Sequence, residues 1–311
     1  MNKLTISIIA AVGLAAGLAG CIAAQRPDSP EPVPYYFVAI HNEPYHFPGG
    51  EVKLAEAYNT LRRMVAEADR YDIKLTLMFT AQWADYISGS PERMAELVSW
   101  KNRGHEIAGH HHSIYHGNWD GYTDYSEEEA EVQRIEQGIE PEEYLGTLED
   151  YINKLRKLNP DIKSGCMNEE HDKKAMPDAI VYGTCSGFAC CGETGSRLSD
   201  VVPEKGKNEY VLTGVVSGIA RKWLAHFQIT TPERREAGQT VFGSMNPSHV
   251  YGVVTHSAVG VQEQEYYRFL EFLHSADPEG NRSRTVGEVI EQHLLPEEAV
   301  SGDLLNQSMD G

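Results

Sequence analysis

Histidine is concentrated in one short stretch of the chain. Five of the 13 histidines fall within residues 105–116, which read "HEIAGHHHSIYH". Neutral imidazole nitrogens are common ligands of borderline-soft divalent cations such as zinc, and a catalytic zinc ion is held by three protein ligands. The stretch therefore predicts a site for a divalent metal ion, with zinc as the expected metal.

Two histidines of this stretch are the first candidate ligands. His112 and His116 are four residues apart, a spacing that puts both side chains on one face of a helical turn. His110 is either an alternative ligand or a residue that orients a ligand through a hydrogen bond. The candidate third ligand is Glu43, because it lies two residues after His41 at the end of the first predicted strand and both side chains then face the same way.

The pattern of the chain predicts the elements that must position these residues. Strand-like segments occupy residues 35–40, 73–79, 105–110 and 179–184, with later apolar segments at 223–230 and 251–257. Helical spacing is found at residues 51–72, 91–104, 126–158, 262–275 and 285–295. This alternation predicts an α/β fold with a mostly parallel sheet, open or closed into a barrel, and with its active residues where strands end.

The composition limits the possible partners. The chain has 311 residues, a formal net charge of -19 and 41% hydrophobic residues. Its length suits one barrel-sized domain or two smaller ones. Nucleic acid is an unsuitable partner, because phosphate binding requires clusters of Lys and Arg that the sequence lacks.

The first segment has the pattern of an export signal. One Lys precedes an apolar run that ends in "LAGC", which resembles the lipobox of bacterial lipoproteins. We therefore expect a signal peptide over residues 1–20, lipidation of Cys21 and an extracytoplasmic, membrane-anchored protein; an uncleaved anchor or an ordinary signal peptide is the alternative. A Pro-rich tether is expected over residues 21–34, the folded domain over 35–298 and a polar tail over 299–311.

The remaining cysteines are predicted to form disulfides. Cys166, Cys185, Cys190 and Cys191 lie close together in the sequence, and an extracytoplasmic compartment permits disulfide bonds. Their spacing does not match a zinc knuckle, and the three possible pairings of four cysteines stay open.

Several of these segments resemble the polysaccharide deacetylases that carry a NodB homology domain. "RGHEIAGH" resembles the family's G-H-E-[IV] strand, "HSIYH" its H-[ST]-x-x-H metal motif, "VVTHS" its late histidine motif and "RTVGEVI" its closing segment, while "IHNEP" occupies the place of the first motif. The resemblance implies a deformed (β/α) barrel of about seven strands. It also implies a metal-dependent hydrolase that removes N- or O-acetyl groups from a carbohydrate.

The resemblance also implies roles for individual residues. Glu43, His112 and His116 would hold the metal, with zinc again the expected ion. Either His41 or Glu43 would take a proton from water, and His256 would give one to the departing amine or alcohol.

The sequence departs from the family pattern at three places. His41 and Asn42 stand where the family has two aspartates, so that His41 takes the position of the base. His110, rather than His112, stands six residues after Gly104 as the first metal histidine of the family usually does. The segment "KSGCMNEE" contains no arginine where the family has an Arg-Pro motif.

Candidate substrate contacts follow the second and third predicted strands. Trp83, Trp119, Asp120 and Tyr122 are expected on rim loops, where an aromatic ring could stack on a sugar or pack into the core. Two other functions remain open. A glycoside hydrolase of the same superfamily would use two carboxylates, such as Glu43 and Asp120, and no metal. The third candidate is a non-catalytic lipoprotein that binds metal or glycan.

Overall fold

A computed structural model describes residues 32–47, 49–140, 142–167, 176–185, 206–216, 218–258 and 260–299. From Val33 onward the chain forms one compact unit. The predicted signal peptide and Cys21 lie outside the described residues, as does almost all of the predicted tail. No helix within the described ranges has the length and apolar character needed to cross a membrane.

Within the described residues, one sheet of 11 strands forms the centre of the protein. The strands are β1 (Tyr35–Asn42), β2 (Leu75–Phe79), β3 (Glu106–His111), β4 (Ser164–Met167), β5 (Tyr182–Cys185), β6 (Lys207–Asn208), β7 (Val211–Val216), β8 (Ile219–Ala225), β9 (Phe227–Gln228), β10 (Val250–His256) and β11 (Glu297–Ala299). In the spatial order β10-β1-β2-β3-β4-β5-β8, every neighbouring pair is parallel. Their carboxyl ends therefore meet at the same edge.

A bent strand brings the two sides of the sheet together. β8 pairs with β5, and after a break at His226 the chain continues as β9, which pairs with β10. The Asn208 side chain fills the break, because its amide nitrogen donates to the carbonyls of Ala225 and Val250 and its oxygen accepts from the Ala225 amide. The predicted deformed barrel is thereby confirmed, since seven parallel strands surround one interior.

Helices cover the outside of this barrel. They are α1 (Gly50–Arg70), α2 (Ala81–Ser88), α3 (Pro91–Asn102), α4 (Glu127–Glu136), α5 (Leu148–Arg156), α6 (Pro232–Gly243), α7 (Val261–Ala276) and α8 (Val286–Glu291). Alternate residues of β1 explain the two layers of the core. Val38 and Ile40 pack with the helices, whereas Phe37 and Ala39 point into the barrel interior.

The single long helix predicted for residues 126–158 is wrong. Two helices, α4 and α5, replace it, and each begins with its own capping box, at Ser126 and at Thr147. The chain between them adopts φ values of 70° at Gly138 and 145° at Gly146, which a helix cannot contain. Because the sequence has helical spacing on both sides of the interruption, one continuous helix was predicted.

The amino-terminal mouth of the barrel is closed by α8. Glu106 accepts hydrogen bonds from the Gly287 amide (3.0 Å) and the Thr76 hydroxyl (3.1 Å), and burial raises the pKa of this carboxyl group. A side chain at position 287 would bring a Cβ atom to 2.7 Å from Glu106 Oε1. The segments "GHEI" and "TVGEVI" are therefore joined at this end, and a site for chemistry must lie at the other.

We predict that the bent strand closes the barrel only because Gly252 has no side chain. A Cβ atom there would lie 2.2 Å from Phe37 Cζ and 2.3 Å from the Ala225 carbonyl oxygen. We expect Gly252→Ala to lower the free energy of unfolding by at least about 1–3 kcal/mol, as overpacking of a core does. The measurement is the midpoint of urea unfolding followed by circular dichroism.

The matched control for this substitution is Gly243→Ala. Position 243 ends α6 and has no atom within 4 Å of the added Cβ. It should keep its stability or gain up to about 1 kcal/mol, since alanine suits a helix better than glycine. Equal unfolding midpoints for the two variants would contradict the tight closure at Gly252.

Candidate metal centre

The candidate residues meet at the carboxyl end of the barrel strands. His41 ends the inward face of β1 and lies opposite His256 of β10 in the parallel register. On the other side, His110 of β3 lies opposite Cys166 of β4. Adjacent parallel strands thus bring together side chains that are far apart in sequence.

The carboxylate of Glu43 lies at the centre of this group. His110 Nε2 and His256 Nε2 are each 3.4 Å from Glu43 Oε1, and His112 Nε2 is 3.3 Å from Oε2. Burial opposes ionisation of the carboxyl group, whereas positive charge beside it, here on protonated imidazoles, lowers the pKa of Glu43 well below its ordinary value. A Glu43 carboxylate therefore depends on a positive charge among its neighbours.

Backbone carbonyls determine which ring nitrogens carry hydrogen. His110 Nδ1 donates to the Cys166 carbonyl (3.1 Å), and His112 Nδ1 donates to the Asn118 carbonyl (2.7 Å). Because a carbonyl can only accept, each ring in its neutral form has its hydrogen on Nδ1 and presents a lone pair at Nε2. Burial lowers the pKa of His112 well below its ordinary value, so this ring is neutral.

This arrangement suits a divalent cation. The Nε2 atoms of His110 and His112 are 2.9 Å apart and both face the Glu43 carboxylate. Each of these three residues offers a ligand atom within 4.8 Å of the other two. Two imidazole lone pairs and a carboxylate form a donor set that zinc commonly takes, and a cation between them would remove their mutual repulsion. We call Glu43, His110 and His112 the carboxylate site.

His116 is placed differently from the sequence prediction. Its ring packs against the ring of His112 with centroids 4.0 Å apart, and its Nδ1 accepts a hydrogen bond from the Asn118 amide (3.0 Å). Among the described residues there are three sets of mutually close ligand atoms; one joins His110 with Glu43 and His112, and none includes His116. The reason is local, because residues up to His111 form a strand in which alternate side chains share a face.

His256 is the histidine best placed to transfer a proton. Its Nδ1 donates to Gln262 Oε1 (2.8 Å), which leaves Nε2 facing Glu43. Its side chain is 20% exposed. His41, the predicted alternative base, is only 5% exposed and stacks on His110 at 4.2 Å. Burial, followed by the neighbouring histidines, lowers the pKa of His41 well below its ordinary value.

The predicted sugar contacts lie inside the protein instead of on its rim. None of the four exceeds 1% exposure: Trp83, Trp119, Asp120 and Tyr122. Trp83 Nε1 donates to the Glu43 carbonyl (3.0 Å), and Asp120 accepts from His111 Nδ1 (2.8 Å) and the His112 amide (3.3 Å). The loop after β3 folds back onto the barrel, so these side chains support the site and do not face solvent.

The four cysteines that were predicted to form disulfides are described to different extents. Cys166 is buried in β4, and its carbonyl holds His110. Only the backbone of Cys185 is described, and Cys190 and Cys191 lie outside the described residues.

Sequence reasoning did not single out His226, which is buried at the break after β8. Its place in the apolar segment "WLAHFQIT", at the end of a strand, is the signal that could have identified it.

Comparison with known proteins gives similarity in structure only. No protein-family model and no curated protein matches the sequence. The 4-alpha-glucanotransferase from Thermococcus litoralis is similar over 84% of this chain, with a TM-score of 0.50 and 16% identity, and this likeness shows the fold. The chain spans 38% of the length of that protein.

Two deacetylases are also among the similar structures. A protein described as a polysaccharide deacetylase from Mycobacterium smegmatis has a TM-score of 0.49 and 12% identity over 88% of this chain and 96% of its own. A peptidoglycan deacetylase from Bacillus subtilis has a TM-score of 0.37 and 11% identity over 85% of this chain and 95% of its own. A TM-score below 0.5 is too low to carry a conclusion about this chain.

We predict that His110 contributes more to metal binding than His116. In metal-free protein titrated with Zn²⁺ against a chromophoric chelator, His110→Ala should weaken the tightest binding by more than about 100-fold, because even the loss of a residue that only orients a ligand costs about 10–100-fold. His116→Ala is the matched control and should weaken binding by no more than about 10–100-fold, since its ring only packs against the ligand His112. A larger loss of zinc affinity in His116→Ala than in His110→Ala would identify His116 as the ligand.

Proposed function

We propose that the protein is a metal-dependent hydrolase that removes N- or O-acetyl groups from a carbohydrate. The observation that supports this function best is the carboxylate site, in which two imidazole nitrogens without hydrogen face the Glu43 carboxylate at the open end of the barrel. Glu43, His110 and His112 would hold the cation, and zinc suits these ligands. When bound, such an ion activates water and polarises a carbonyl group.

His256 is the proposed acid and base. Gln262 fixes the hydrogen on Nδ1, so Nε2 is the atom that accepts a proton from the attacking water and then donates it to the departing amine or alcohol. Imidazole suits both steps, because its ordinary pKa lies near neutral pH. His41 lies deeper in the barrel and is less accessible to substrate than His256.

The carbohydrate substrate rests mainly on the sequence motifs of the deacetylase family. One feature of the surface supports it. The loop after Glu43 carries Tyr45 and Phe47, whose ring centroids are 6.2 Å apart, and Phe47 is 50% exposed. An exposed aromatic ring beside a catalytic centre can pack against the apolar face of a sugar. These two residues therefore replace the buried tryptophans as proposed substrate contacts.

The glycoside hydrolase alternative is less well supported. It requires two carboxyl groups that flank the bond to be cleaved. Asp120, the proposed partner of Glu43, is fully buried and accepts hydrogen bonds from His111 and the His112 amide. Its carboxylate is thus occupied with holding the loop.

We predict that metal removal abolishes acetate release. Acetylated oligosaccharides of the chitin and xylan types would be incubated with the zinc-loaded protein, and acetate and reducing ends would be measured in the same samples. Acetate without new reducing ends is expected, and chelation should abolish it until Zn²⁺ is restored. His256→Asn should lower kcat by about 10²–10⁴-fold, the usual contribution of a general acid or base, while zinc stays bound.

The other outcomes identify the alternatives. New reducing ends without acetate would indicate a glycoside hydrolase. Binding of zinc or glycan without turnover on any acetylated substrate would indicate a non-catalytic protein. Acetate release that persists in the chelated, metal-free protein would contradict the proposed metal dependence. Gln262→Glu is a useful companion variant, because it keeps an acceptor for His256 Nδ1 and should preserve more activity than Gln262→Leu.

We also propose that the enzyme works outside the cytoplasm on a membrane surface, through lipidation of Cys21. Cys21→Ser should move the protein from the membrane fraction to the soluble fraction and abolish incorporation of labelled fatty acid in a bacterial host. Cys190→Ser is the matched control and should stay in the membrane fraction. Retention of Cys21→Ser in the membrane would instead favour an uncleaved anchor.

A further inference from the structure

A second group of metal-ligand side chains lies deeper in the barrel than the carboxylate site. Sγ of Cys166 and one ring nitrogen each of His41 and His226 all lie within 4.8 Å of one another. The three residues are 2%, 5% and 3% exposed, respectively. None of them belongs to the carboxylate site, but His41 adjoins it: its ring stacks on that of His110, and a ring nitrogen lies within 4.8 Å of ligand atoms of Glu43 and His256.

These residues come from strands that are not neighbours in the sheet. His41 lies on β1 and Cys166 on β4, and β2 and β3 separate these two strands. His226 lies at the break between β8 and β9, on the other side of the barrel. Their side chains therefore meet across the interior, which strand pairing alone does not require.

Hydrogen bonds orient one histidine of this group and leave a ring nitrogen of the other available as a ligand. Nε2 of His41 is buried and has no hydrogen-bond partner among the described residues. His226 engages the buried Thr184 hydroxyl through Nδ1 (3.2 Å), so Nε2 is its remaining ring nitrogen. A second ring nitrogen held by a neighbouring polar group is typical of histidines that bind a metal.

We propose that His41, Cys166 and His226 form a second metal site, which we call the thiolate site, and that it takes a thiophilic divalent cation such as Zn²⁺. On binding, the cation bonds to Sγ, and the thiol proton passes to solvent without any change of oxidation state. One sulfur and two imidazole ligands select zinc-like ions over Mg²⁺ and Ca²⁺, which prefer oxygen ligands. The carboxylate site contains no sulfur, so the two sites differ in chemistry.

The position of the thiolate site indicates a structural role. His226 sits where the bent strand changes partner from β5 to β10. A cation shared by His226, His41 and Cys166 would link this point of the bent strand to β1 and β4. The site is too buried to receive a polysaccharide, so this inference does not depend on the proposed hydrolase activity.

Cobalt distinguishes the two sites by their spectra. Metal-free protein would be titrated with Co²⁺ anaerobically in a non-thiol reductant. We expect two Co²⁺ ions per chain and a thiolate-to-cobalt charge-transfer band in the near ultraviolet. Cys166→Ser and His226→Ala should each lose this band and one Co²⁺, whereas His112→Ala should keep the band and lose the other Co²⁺.

Two results would overturn the thiolate site. The first is the absence of the charge-transfer band in the parent protein. The second is a band that persists in Cys166→Ser, which would assign the sulfur ligand to another cysteine; Cys190→Ser is the matched control and should keep the band. The same titration distinguishes the sites, because failure of the carboxylate site alone would leave the band intact.

A measurement on the parent protein guards against variants that fail to fold. Alkylation of Cys166 by iodoacetamide, followed by peptide mass analysis, should be slowed at least tenfold by Zn²⁺. Equal alkylation with and without Zn²⁺ would contradict the proposal. A peptide map without reduction that finds Cys166 in a disulfide would also overturn it.

Discussion

The arrangement of three imidazole nitrogens around the Glu43 carboxylate is the constraint on which the site depends. Glu43 follows β1, and its partners come from β3, the turn after it and the end of β10. A carboxylate in this partly buried place must be compensated, and within the described residues its ion-pair partners are histidines alone. Lone pairs on two of these rings cannot provide the compensation, which is why the site calls for a cation.

The support for this arrangement lies mainly in the backbone. The carbonyls of Cys166 and Asn118 fix the hydrogens of His110 and His112, and the indole of Trp83 holds the Glu43 carbonyl. Such groups cannot change their protonation, so the ring orientations do not vary with pH as they would beside carboxylates. Buried aromatic residues around the site thus set its geometry, whereas the proposed substrate contacts lie on the exposed loop after Glu43.

The strand and helix rhythm of the sequence predicted the barrel, because apolar periodicity reports which faces are buried. Periodicity also explains the main difference between the predicted and the observed ligands of the site. A helical period pairs His112 with His116, but β3 extends to His111, and its period of two pairs His110 with His112. The place of His226 in the site could not be predicted for another reason. A lone histidine in an apolar strand is informative only once the bend of the strand and the pairing partners of the strand are known.

Cys166 links the carboxylate site to the proposed thiolate site. Its carbonyl orients His110 in the carboxylate site, and its sulfur is a proposed ligand in the thiolate site. On the other side, His41 stacks on the His110 ring while offering its own nitrogen to the deeper group. A cation that fixes Cys166 and His41 therefore also fixes two of the surfaces that position His110. His41 stands where the deacetylases that the sequence resembles have a first-motif aspartate. The proposed thiolate site gives this difference a physical meaning, because imidazole, unlike an aspartate, can serve as a neutral ligand to a buried ion beside a thiolate.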